Sequence, residues 1–118
     1  MRTGMIVDDA AVMRMRLRDI LDGRYRIVAE AENGEQALTL YHEHRPDFVT
    51  LDITMPGVDG LAALGNILQS YPAAKVIIVS AVGQKQIVFQ ALAKGAKDFI
   101  VKPFEADRVL KSINRLFE

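Results

Sequence analysis

Four short apolar runs, each closed by a polar residue capable of chemistry, constrain this chain more than any other feature. Met5-Ile6-Val7 ends at Asp8-Asp9, and Phe48-Val49-Thr50-Leu51 ends at Asp52. Val76-Ile77-Ile78-Val79 ends at Ser80, and Phe99-Ile100-Val101 ends at Lys102. Runs this continuous are expected of strands buried on both faces, as in a parallel sheet. Parallel strands would deliver Asp8, Asp9, Asp52, Ser80 and Lys102 to one sheet edge. Open α/β sheets bind their ligands at the carboxyl ends of the strands.

The segments between the runs carry helical spacing. Met13, Leu17, Ile20 and Leu21 mark a first helix, ended by Asp22-Gly23, and Tyr25 to Glu30 reads as a further strand. Asn33-Gly34 makes a turn into a helix over Gly34 to His44, which Pro46-Asp47 stops. A loop over 53–60 precedes a helix with Leu61, Leu64, Ile67 and Leu68. The next helix holds Ile87, Val88, Ala91 and Leu92 and ends at Gly95 in a C-terminal cap. A last helix holds Val109, Leu110, Ile113, Leu116 and Phe117. Five strand–helix units with right-handed crossovers predict a three-layer α/β sandwich.

The 118 residues fit one domain spanning 1–118, with no linker, repeat or low-complexity segment. Lys+Arg and Asp+Glu both number 15, so the balance gives no footprint for nucleic acid or an anionic membrane. The absence of cysteine excludes disulfides and thiolate chemistry. No apolar run approaches the ~20 residues of a membrane span, and acidic Asp8 comes too early for a signal peptide. A cytoplasmic location is expected.

Three carboxylates, a hydroxyl and an ammonium suit a divalent cation and a phosphoryl group. Mg²⁺ takes one or two carboxylates and keeps several waters. Asp8 and Asp9 can divide that work, one ligating directly and one through water; equally, two acids after a strand can cap a helix. Asp52 can be a covalent nucleophile toward phosphorus, or a loop cap. Ser80 and Lys102 offer donors to phosphoryl oxygens, or a helix N-cap and a surface ion pair. Lys102 precedes Pro103, the setting in which a cis peptide bond is found, and a cis bond would aim the lysine into the site. His42 and His44 read as a solvated helix end, the five methionines as core filler, and Arg14, Arg16, Arg18, Arg24 and Arg26 as solvated surface. Neither a G-x-x-x-x-G-K-[ST] loop nor a G-x-G-x-x-G fingerprint is present, which argues against nucleotide binding.

With these residues in view, the chain resembles the response-regulator receiver domains, and among them the standalone chemotaxis response regulators of bacteria. The resemblance runs over nearly the whole chain. It is carried by Ile6 to Arg14, Leu51-Asp52-Ile53-Thr54-Met55-Pro56, Val79 to Gln84 and Gly95 to Phe104. It implies a flavodoxin-like doubly wound sheet of strand order 2-1-3-4-5, which belongs to that family's fold rather than to anything in the spacing. It implies that Asp52 accepts a phosphoryl group from a histidine kinase. Mg²⁺ would be bound by Asp9, Asp52 and the backbone carbonyl of Thr54, with Asp8 acting through a water. Lys102 and Ser80 would contact the phosphoryl oxygens, Ser80 would be drawn toward them, and Phe99 would turn inward. The face of the fourth helix, fifth strand and fifth helix would meet a partner such as a flagellar motor switch protein. Lys85, Gln86, Phe89 and Gln90 are candidate contacts there, with Phe89 either an apolar anchor or core packing. A phosphatase would be a further partner, and small Ala81 beside Ser80 should leave the site open to it.

Three departures from the family pattern stand out. Phe99 replaces a common tyrosine. Gly4 should weaken the start of the first strand. Gly65 inside a helix costs about 1 kcal/mol relative to alanine.

Two other functions share parts of the pattern. A Mg-dependent aspartyl-phosphate phosphatase usually carries Asp-x-Asp, whereas Asp52 is followed by Ile53 and Thr54. A flavodoxin-type carrier needs Ser, Thr or Gly after the first strand, where Asp8-Asp9 would repel a flavin phosphate. The chain is expected to be a phospho-acceptor rather than an enzyme, either a complete regulator or the receiver part of a longer transcriptional regulator.

Overall fold

The computed structural model describes residues 1–53 and 60–118. Strands β1 (Thr3–Val7), β2 (Arg26–Ala31), β3 (Phe48–Asp52), β4 (Val76–Ala81) and β5 (Asp98–Lys102) alternate with helices α1 (Ala11–Leu21), α2 (Gly34–His44), α3 (Gly60–Ser70), α4 (Lys85–Lys94) and α5 (Ala106–Arg115). All four strand pairings are parallel, and the sheet order is β2-β1-β3-β4-β5. This is the flavodoxin-like order that the resemblance implied.

Side chains alternate between the faces of a strand, so each apolar run feeds two cores. Met5, Val7, Val49, Leu51, Val76 and Ile78 pack under α2, α3 and α4. Ile6, Phe48, Ile77, Val79 and Ile100 pack under α1 and α5, against Leu17, Leu21, Val109 and Ile113. With every pairing parallel, the polar residues closing the runs fall on one edge of the sheet.

Local chemistry sets the helix ends. Asn33 caps α2 by accepting from Gln36 N–H at 2.9 Å, while Gln36 Oε1 reaches back to Glu32 N–H at 2.8 Å. Gly95, at φ +124°, closes α4 where a side chain would be strained.

The β1–β2 ladder slips register between Gly4 and Met5, the irregularity expected of a glycine at the start of β1, while on the other side Gly4 sits opposite Phe48 and leaves the room that the Phe48 ring fills. Some expectations need correction. The last helix ends at Arg115, one residue before Leu116, and Phe117 lies beyond it against Phe48 and under the Arg2 guanidinium. Of the methionines, Met5 is fully buried, but Met1 and Met15 are exposed, and Met55 lies outside the described residues. The arginines are not uniformly solvated, as Arg14 shows below. Gly65 has open space where a Cβ would stand, so packing does not offset its helix cost. Among the described residues, no helix is long and apolar enough to cross a membrane.

Candidate functional site

At the carboxyl edge of the sheet, Asp8 and Asp9 follow β1 and Asp52 closes β3. Oxygens of the three carboxylates lie within 4.8 Å of one another. Asp8 and Asp52 are buried, whereas Asp9 opens to solvent. Burial beside two other acids is unfavourable for an ionised carboxylate, so the cluster needs compensating positive charge. Lys102, from the end of β5, supplies part of it. Its Nζ lies 3.1 Å from Asp8 Oδ2 and 3.4 Å from Asp52 Oδ2. The Lys102–Pro103 peptide bond is cis.

Burial pushes the Asp8 carboxyl above its ordinary range. The Ala10 N–H, donating to Oδ1 at 2.9 Å, and the Lys102 ammonium pull it back, while the Asp52 charge adds to the rise. Three acids against one ammonium leave the cluster short of positive charge. Its donors are hard oxygens, two of them shielded from water, and that set fits Mg²⁺ rather than a softer ion. The expected ligand Thr54 lies outside the described residues.

Ser80 sits at the end of β4, one residue past the Val79 that pairs with Asp52. Its Oγ is buried and has no hydrogen-bond partner among the described residues. An orphaned buried hydroxyl is costly, and this one closes the strand that neighbours Asp52.

Below Lys102, β5 is fastened to α5 through Asp98. Ser112 Oγ donates to Asp98 Oδ2 at 2.7 Å, and Phe99 N–H donates to Oδ1 at 2.8 Å. Arg108 lies 3.6 Å from Asp98 and donates to the Phe99 carbonyl at 2.6 Å. Burial alone would raise the Asp98 carboxyl, but these donors outweigh it and hold it below the ordinary value of 3.8. A carboxyl with a lowered folded pKa stabilises the fold above its unfolded value, and loses that contribution as pH falls through the folded one. Ser112→Ala is therefore expected to cost about 1.5 kcal/mol at pH 7, the scale of a hydrogen bond to a charged group. That deficit should shrink below pH ~3.8, and urea unfolding across the range checks it.

The candidate contacts of α4 all face solvent. Phe89 is 61 % exposed, so it is not core, and Lys85, Gln86 and Gln90 are exposed beside it. Between α4 and β5 lies an apolar cavity of about 270 Å³, lined by Ser80, Val88, Phe89, Phe99 and Val101 among others. Phe99 is half-buried at its wall.

Sequence reasoning missed Arg14. This residue of α1 is nearly buried and donates to the Asp8 carbonyl at 2.7 Å. It also pairs with Glu30 at 3.4 Å and Glu32 at 3.6 Å, while Arg18 pairs with Glu30. Arg14 thus ties the start of α1 to the main chain that carries the acids. The available signal was Arg14 and Arg18 at i, i+4 on one helix face, with Glu30 and Glu32 closing the next strand. Arg16 likewise donates to the Phe104 carbonyl at 2.6 Å and stacks over its ring.

Comparison with known proteins agrees with this geometry. The family model described as the response regulator receiver domain matches residues 5–114. The chain is 57 % identical over 112 residues to chemotaxis protein CheY of Bacillus subtilis (strain 168), covering 94 % of this chain and 93 % of that protein. It is 49 % identical over 113 residues to chemotaxis protein CheY of Thermotoga maritima, covering 95 % and 94 %. Its structure is similar to that of the CheX-CheY-BeF3-Mg+2 complex from Borrelia burgdorferi, with a TM-score of 0.94, 40 % identity, and coverage of 99 % of this chain and 90 % of that one.

Proposed function

The chain belongs to the response regulator receiver domain family, and on that footing we propose that it is a phosphorylation-switched signalling protein of bacterial chemotaxis, with Asp52 as acceptor. Residues 1–118 act as one receiver domain in the cytoplasm. The observation that carries the reading is the buried Asp52 carboxylate, with two further acids within 4.8 Å and Lys102 Nζ at 3.4 Å.

Asp52 takes the phosphoryl group from a phosphohistidine of a histidine kinase. A carboxylate oxygen forms the new O–P bond while the P–N bond breaks, and the histidine nitrogen keeps the electron pair and gains a proton. Asp9, Asp52 and the Thr54 carbonyl would hold Mg²⁺, with Asp8 acting through a water. When bound, the ion supplies positive charge that offsets repulsion between the acids and the incoming phosphoryl oxygens. Lys102 and the Ser80 hydroxyl donate to those oxygens, which gives the orphaned Ser80 Oγ an acceptor.

The added phosphate carries roughly −1.5 to −2 charge at pH 7. Ser80 moves toward it, and Phe99 turns into the cavity of about 270 Å³ that both residues line. The face of α4, β5 and α5 changes shape in consequence. Phe89 is the apolar anchor there for a flagellar motor switch protein, with Lys85, Gln86 and Gln90 around it. A phosphatase is a further partner, and the Borrelia relative crystallised with CheX supports binding of a second protein to chains of this kind. The only chemistry of the chain itself is slow self-phosphorylation and self-dephosphorylation, without turnover on a phosphate ester.

Intact mass after incubation with Mg²⁺ and acetyl phosphate tests the reading. The native chain is expected to gain one phosphoryl group, and to gain none with Asp52→Asn or without Mg²⁺. Folded native chain that stays at its original mass would sink the assignment of Asp52.

A further inference from the structure

The main-chain N–H that follows Ser80 has a side chain as its acceptor. Ala81 N–H donates to Gln84 Oε1 at 2.8 Å. Gln84 is the residue before the first turn of α4, yet its side chain makes no bond to that helix. It folds back to the end of β4 instead, across a turn that Gly83 permits at φ +91°. Asp52 pairs with Val79 and Ala81 pairs with Lys102. Ser80 and Ala81 are therefore the first residues past Asp52 on the neighbouring strand, with Lys102 on the strand beyond. A group added to Asp52 at the carboxyl edge meets three kinds of donor there. These are the Lys102 ammonium, the Ser80 hydroxyl, which has no partner among the described residues, and the Ala81 N–H.

We infer that Gln84 is a positioning residue that sets the threshold of the switch. In the unphosphorylated chain its carboxamide oxygen occupies the Ala81 N–H, which a phosphoryl oxygen takes once Asp52 is modified. This rests on the reading of Asp52 as phospho-acceptor. A hydrogen bond to a charged oxygen is roughly twice as strong as one to a neutral amide, so phosphate displaces the side chain. Until then the β4–α4 turn is held in place, and the displacement is subtracted from what phosphorylation gains. Swapping the strength of this one acceptor should tune phosphorylation in both directions.

The test compares Gln84→Met and Gln84→Glu with the native chain. Acetyl phosphate and Mg²⁺ serve as donor and metal, and intact mass gives the half-saturating donor concentration. Gln84→Met removes the competing oxygen at similar volume, and should lower that concentration about two- to tenfold, the range of one neutral hydrogen bond. Gln84→Glu offers a charged acceptor that holds Ala81 N–H and repels the phosphoryl group, and should raise it by at least as much. Glutamate at the start of α4 also favours the helix dipole, so a purely structural role would move melting temperature and phosphorylation together. The inference expects them to part, with phosphorylation falling in Gln84→Glu while melting holds or rises. The Ala81 amide resonance of the unphosphorylated chain should shift upfield in Gln84→Met. Shifts of half-saturation in the same direction, no shift in either, or an unmoved Ala81 amide would overturn the inference while the Asp52 reading stands. A native chain that gains no mass would overturn both.

Discussion

In magnesium-free buffer at pH 7, Lys102→Met is expected to lower unfolding free energy by about 3 kcal/mol, the low end for removing one partner of a buried pair. Lys102 Nζ is the ammonium 3.1 Å from Asp8 and 3.4 Å from Asp52, and both carboxylates are almost wholly shielded from water. Methionine keeps the stem's bulk, so the loss reports charge rather than packing. Two conditions should restore stability. Mg²⁺ should do so by supplying positive charge to the same oxygens. Acid should do so through Asp8, whose carboxyl burial already raises and which loses its Lys102 ion pair in the variant. A carboxyl with a raised folded pKa costs stability above that pKa, and the cost fades as pH falls through it. Urea titrations at pH 7 and pH 5, each with and without Mg²⁺, would show the deficit narrowing on both axes. An equal deficit in all four conditions would mean that Lys102 holds the fold by packing alone. Phosphorylation from acetyl phosphate should be lost even where Mg²⁺ restores stability, because the ammonium that meets the phosphoryl oxygens is gone.

Asp8, Asp52 and Ser80 were legible in the sequence because of how parallel strands are buried. A strand covered on both faces must be apolar for its whole length, so its last residue is marked by the change to polar. In β2, an edge strand, the signal was blurred. Its burial is partial, and it runs from Arg26 to Ala31 rather than from Tyr25 to Glu30. Contacts between residues far apart in sequence left no local trace. Arg14 reaches the Asp8 carbonyl because α1 folds back over β1, and Ser112 reaches Asp98 because α5 returns across β5. The Gln84 bond to Ala81 spans three residues, yet helical spacing describes Gln84 only as a position near the start of α4. Partner depth was also hidden. Phe89 fits an amphipathic pattern as core or as surface, and only the packed helices place it outside.

Gly4 and Phe48 should behave as one unit under mutation, with signs that separate packing from strand propensity. If Gly4 were merely a flexible residue in β1, Gly4→Ala would stabilise the chain by about 0.5–1 kcal/mol. The structure gives the opposite expectation. A Cβ at position 4 would stand 2.6 and 2.7 Å from two carbons of the Phe48 ring, and closer still to a third. That ring cannot retreat, being fully buried edge-on to Tyr25 at 5.2 Å and to Phe117 at 6.5 Å between centroids. Gly4→Ala should therefore cost about 1–3 kcal/mol, the usual range for overpacking a core. Phe48→Ala should cost about 3–5 kcal/mol through lost burial and the cavity left behind. In the double variant the alanine methyl enters that cavity, so the chain should be about as stable as Phe48→Ala alone. Residues in contact depart from additivity by about 0.5–3 kcal/mol, and the missing Gly4 penalty is that departure. Urea unfolding of the four chains closes the cycle. Costs that simply add would show that the ring and the glycine do not share space, and β1 would then owe its register to its neighbours alone.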